Sequence, residues 1–102
     1  MKPLENISEL VEGSYITRID EDKFWHYEYL SVHPRDSHYQ LFIDNRSFDI
    51  ICINESKLLG GGYFIGKYDP IFVANKRIEY YERMIRMMRR RIEEYKNKRL
   101  IV

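Results

Sequence analysis

Eight basic side chains crowd the last twenty residues of this chain: Arg83, Arg86, Arg89, Arg90, Arg91, Lys96, Lys98 and Arg99. Guanidinium groups grip phosphate or carboxylate oxygens two at a time, and a row of them can track a nucleic-acid backbone. From Lys76 to Val102, ten Lys/Arg stand against four Asp/Glu, a charge of +6; from Met1 to Asn75, seven stand against twelve, a charge of −5. The total of +1 therefore hides a dipolar molecule. The basic segment is a candidate contact for an acidic macromolecule, either nucleic acid or the surface of an acidic, nucleic-acid-handling protein. The same residues also permit a plain solvated helix face. Glu79/Arg83, Glu82/Arg86, Arg89/Glu93, Arg90/Glu94 and Glu94/Lys98 are i,i+4 neighbours, and such pairs neutralise one another at a few tenths of a kcal/mol each. Arg89-Arg90-Arg91 and the Lys96–Arg99 end are the least compensated.

Three further groups of residues have chemical potential. His33 or His38, beside Arg35 and Tyr39, could serve acid–base catalysis in a small nuclease; surface-loop histidines are the plainer expectation. His26, His33 and His38 could be assembled with Asp36 and Cys52 into a metal site, but no pair has a zinc spacing and Cys52 is the single cysteine, so neither metal nor cofactor is expected. Gly60-Gly61-Gly62 could admit a phosphate to backbone N–H groups. No Walker lysine follows, however, and a strand rather than a helix comes next, so a flexible connection is expected. Trp25, Tyr27 and Tyr29 lie on one face of a strand. Exposed, they would stack bases; covered by a helix, they are core.

These residues must be positioned by one domain, the whole of residues 1–102, since the length suits one and the 44% hydrophobic content can bury a single core. The expected class is α+β. Pro3 to Val11, ending at Gly13, reads as a short N-terminal helix within residues 1–13, with Leu4, Ile7, Leu10 and Val11 at helical spacing. Residues 14–68 read as five antiparallel strands: Tyr15–Asp20, Phe24–His33, Tyr39–Asp44, Phe48–Asn54 and Tyr63–Tyr68, forming a meander sheet or small open barrel. A long basic amphipathic helix follows over residues 72–99, packed on the sheet. Along it Ile78, Tyr81, Ile85, Met88, Ile92 and Tyr95 recur in alternating steps of three and four, the a and d positions of three heptads, with Met84 widening the stripe. A parallel self-dimer through that seam would set Arg91 against Lys96, like against like, so the protein's own sheet is the expected cover, with homo-oligomerisation the alternative.

No apolar run approaches the ~18–20 residues that span a bilayer, and the N-terminus carries no apolar signal core. With its lone cysteine, the chain reads as a cytoplasmic protein without membrane contact. The function this profile favours is a non-catalytic binding module, an inhibitor or adaptor, acting through the basic helix. Its rivals are a homo-oligomer sequestering a small nucleotide-like anion and a small histidine-dependent nuclease.

Overall fold

The computed structural model describes the backbone of residues 1–101 and the side chains of residues 1–98. Six antiparallel strands form one open sheet: β1 (Lys2–Pro3), β2 (Tyr15–Asp20), β3 (Lys23–Val32), β4 (Tyr39–Asp44), β5 (Ile50–Asn54) and β6 (Tyr63–Ile65), in spatial order β1-β6-β2-β3-β4-β5. A short helix α1 (Glu55–Leu58) joins β5 toward β6, and a 32-residue helix α2 (Pro70–Ile101) ends the described chain. The class is α+β, as the sequence implies.

Three expected features are corrected, two of them at the sheet and its N-terminal segment. The N-terminal helix is a lone 3-10 turn over Ile7–Glu9. Asn6 and Glu9 do form a capping box there: Ser8 N–H donates to Asn6 Oδ1 at 3.0 Å, and Asn6 N–H donates to Glu9 Oε1 at 3.0 Å. Leu10 then turns extended and ends the helix after one turn. The spacing of Leu4, Ile7 and Leu10 is satisfied without a helix, because Leu4 and Leu10 are buried in the core and Ile7 packs against it. The second correction is the strand count. Lys2 and Pro3 form a sixth strand, antiparallel to Ile65 and Phe64. Proline donates no hydrogen bond, and β1 is an edge strand, where that is tolerated.

The strands are positioned by their alternation. The register sets Ile65 beside Ile16, Ile16 beside Tyr27, Tyr29 beside Phe42, and Phe42 beside Ile51. One face of the sheet thereby becomes the core, closed by Leu4 and Leu10 from the N-terminal segment and Leu58 from α1. Phe42, Ile16 and Leu58 are its fully buried members. The β2–β3 connection is an acidic turn in which Glu21 takes a positive φ of 58°.

Asp69 caps α2: its Oδ1 accepts from the N–H groups of Ile71 (3.0 Å) and Phe72 (3.3 Å). Pro70 sits in the first turn, where its missing N–H costs nothing. Among the described residues, only the beginning of α2 meets the sheet, on the face opposite the core. Val73 is buried, Phe72 stacks edge-on against Phe64 with ring centroids 5.0 Å apart, and the Arg77 guanidinium lies 5.8 Å from the Phe24 ring centroid. Beyond Met84, every side chain described on α2 is exposed. The expected packing of the long helix across the sheet is thus corrected: the helix is anchored at one end and projects. A helix of this length spans about 48 Å, and the Cα envelope measures 63 × 30 × 25 Å. The radius of gyration is 18.6 Å, against about 13 Å for a compact domain of this size.

Candidate functional site

The exposed basic arm of α2 is the strongest candidate site. Helical periodicity spreads Arg83, Arg86 and Arg90 along the side away from the Ile78–Tyr95 stripe, with Arg89 and Arg91 flanking it. All five arginines are exposed. The ion pairs on the described part of the helix are Lys76–Glu79 at 3.6 Å and Glu93–Lys96 at 4.0 Å. None of the five expected i,i+4 pairs is closed, and among the described residues no carboxylate lies within 4.0 Å of any of these five guanidinium groups. Lys98 is exposed as well; the side chain of Arg99 lies outside the described residues.

Near the body, Arg83 and Arg86 border a cleft of about 450 Å³ between α2 and the sheet, whose other walls include Lys76, Ile19, Phe64, Glu21 and Glu82. The Lys76 ammonium lies 5.7 Å and 5.5 Å from the ring centroids of Phe64 and Phe72. The Arg77 Nε is buried without a hydrogen-bond partner, and the guanidinium lies over the Phe24 ring. Tyr81 donates its hydroxyl to Asp22 Oδ2 at 2.9 Å, tying the helix to the acidic β2–β3 turn. The neighbouring Tyr80 hydroxyl is raised in pKa by desolvation first, then by the carboxylates of Glu21 and Asp22.

Trp25, Tyr27 and Tyr29 lie on the core face of β3. Tyr27 is buried, Trp25 and Tyr29 half-buried. Burial raises the phenol pKa of Tyr27 and Tyr29. Tyr29 donates to Gln40 Oε1 at 2.7 Å, Gln40 Nε2 donates in turn to Glu55 Oε1 at 3.0 Å, and the Arg18 guanidinium lies 4.7 Å from the Trp25 ring centroid. These aromatics are core, as the plainer reading expects, but the cover is the N-terminal segment and α1, not the long helix. The structure does not bring them together with the arginines of α2.

His33 and His38 occupy the β3–β4 connection. His33 Nδ1 accepts from the Arg35 N–H at 3.1 Å, and the His38 N–H donates to Asp36 Oδ1 at 2.9 Å, so both belong to local turns. No cluster of three or more His, Cys, Asp or Glu able to hold a metal ion occurs among the described residues. Gly61 and Gly62 take φ of 101° and 86°. A Cβ on Gly62 would come within 3.2 Å of the Ile19 carbonyl oxygen, and Gly62 C=O accepts from Ile19 N–H at 2.8 Å. Gly62 therefore serves a close backbone pairing with β2.

Sequence reasoning missed the setting of His26. It sits on the outer face opposite Thr17 in the β2–β3 register, with Thr17 Oγ1 and His26 Nδ1 in a 3.0 Å hydrogen bond and the Tyr68 ring 4.3 Å away. Desolvation, and secondarily Arg46, holds its pKa below the ordinary imidazole value. It lines a mostly apolar cleft of about 380 Å³ with Tyr15, Asn45, Lys67 and Tyr68. Register between strands is the signal needed to find it.

Among the described residues, no helix is long and apolar enough to cross a membrane. No family model matches this chain, and neither a curated protein nor a solved structure matches it.

Proposed function

We propose that this protein is a non-catalytic binding module whose projecting helix α2 engages an acidic macromolecule, and that the acidic groups are the phosphates of nucleic acid. The observation that carries this reading is the set of five exposed arginines, Arg83, Arg86, Arg89, Arg90 and Arg91, with no carboxylate within 4.0 Å among the described residues. An unpaired guanidinium is free to make bidentate contacts with phosphate oxygens. Successive residues of the Arg83, Arg86, Arg90 row rise by about 4.5 Å and 6 Å along the axis, close enough to follow a backbone. The burial of Tyr27 and half-burial of Trp25 and Tyr29 argue against base stacking, so recognition rests on charge and shape more than on sequence. The acidic remainder of the chain would repel the same phosphates, which confines contact to the arm.

The test is fluorescence anisotropy with labelled duplex and single-stranded oligonucleotides across a salt series. Log affinity should fall steeply with log salt. Replacing Arg83, Arg86 and Arg90 together by Gln should reduce that slope by about three and weaken binding at every sequence alike. Absence of binding at low salt, or an unchanged slope in the triple variant, would sink the nucleic-acid reading and leave an acidic protein surface as the partner to seek.

A further inference from the structure

The heptad stripe of α2 is an apolar surface left about half open to water. Ile78, Tyr81, Ile85, Met88, Ile92 and Tyr95 are each between 44% and 61% exposed. Val73, Arg77 and Tyr80, which hold α2 to the body together with Phe72, lie about a quarter turn around the helix from the middle of that stripe, and from the stripe itself the Tyr81 hydroxyl reaches Asp22. We infer that the occupant of the stripe is a second copy of this chain, its α2 running antiparallel, with Ile85 of one copy opposite Met88 of the other. This inference does not rest on nucleic-acid binding, but it draws Arg89 and Arg91 to the seam and leaves Arg83, Arg86 and Arg90 for phosphate.

Shape, charge and area each favour this arrangement. In that register every layer pairs a β-branched Ile with a longer side chain: Ile78 with Tyr95, Ile92 with Tyr81, Ile85 with Met88. Antiparallel helices bring e positions to e positions and g to g. Glu82 then meets Arg89 of the other copy, twice by symmetry, whereas a parallel pair sets Arg91 against Lys96. The g side of the seam is the side on which the body sits, so Arg91 and Lys98 of one copy approach the other's acidic turn, Asp20-Glu21-Asp22. Arg77, which would meet Lys98 there, is turned instead onto Phe24. On the whole-molecule scale, the +6 arm of each copy lies beside the −5 body of the other; a parallel pair would align like with like. Covering the half-open seam on both copies removes on the order of 1,200 Å² from water, at the threshold of a specific interface. Arg83, Arg86 and Arg90 remain on the outside.

Sedimentation equilibrium on the full chain tests this. A dimer is expected at micromolar concentration. Ile85→Glu should weaken it by about 100-fold or more, since it places a carboxylate in two apolar layers, with Trp25 emission unchanged because the body does not depend on this half of the helix. Should that emission shift, Ile92→Glu, farther from the body, replaces it. Glu82→Arg should weaken the dimer by about tenfold, and the double swap Glu82→Arg with Arg89→Glu should restore it to within about threefold. A monomer at about 100 μM, a larger assembly, a dimer indifferent to the seam variants, or a double swap without recovery would each overturn the inference. Arg83→Gln, Arg86→Gln and Arg90→Gln should leave the dimer intact, which separates this test from the nucleic-acid one.

Discussion

The two halves of α2 share one apolar stripe and have opposite circumstances. From Pro70 to Met84 the helix is positioned by tertiary contacts: Val73 is buried, Phe72 lies on Phe64 and Tyr81 bonds to Asp22. From Ile85 to Lys98 the apolar stripe continues, now among four arginines, and meets solvent throughout. Amphipathic periodicity is therefore no guarantee of a covered face. Most helical stability in proteins comes from packing of an amphipathic face, so the second half, whose described side chains are all exposed, gains less from the body than the first.

The contrast can be broken most severely in the body. Phe42→Ala should remove about 3–5 kcal/mol of stability, read by urea denaturation followed through Trp25. Val73→Ala should cost about 1–2.5 kcal/mol and loosen only the anchored half, seen as faster amide exchange from Phe72 to Tyr81. A smaller effect is expected from acid. The folded-state pKa of His26 lies below the unfolded value near 6.5, so the unfolded chain binds the proton more readily. Its contribution is complete above that value and is lost as pH falls below it. The urea midpoint should drop between about pH 7 and 5, and His26→Gln should flatten that slope. Least of all, Ile92→Ala should leave the body's midpoint within about 0.5 kcal/mol of wild type, while an equally exposed-looking change at Tyr81, to Phe, removes a real tether to Asp22. Equal costs at Val73 and Ile92 would erase the distinction between the two halves.

Much of this was legible in the residues. Strands Tyr15–Asp20 and Tyr39–Asp44 stand where alternation and β-branched residues put them, and the turn at Asp20–Lys23 follows from its acidic, polar run. The arginines fall on an exposed helix as their spacing required. What was not legible depended on pairing between distant residues. Lys2 and Pro3 become a strand only because β6 offers them an edge, and the capping box at Asn6 and Glu9 was outweighed by the burial of Leu4 and Leu10. Whether the heptad stripe is covered is likewise a matter of where the anchored turns point the helix, which no local pattern encodes. His26 acquired its setting from register alone.

The foot of α2 has a mechanical consequence. The Asp69 N–H donates to Met1 Sδ at 3.3 Å, Met1 stands against Gly66, and β1 grips β6 just before the cap that starts the helix. The first three residues thus behave as a chock beneath a lever some 48 Å long. A displacement of Met1 would press on the fulcrum, and it is magnified several-fold at the far end, because the projecting part of the lever is many times longer than the one helical turn at the sheet edge. Where the arm reaches is decided from the opposite end of the chain.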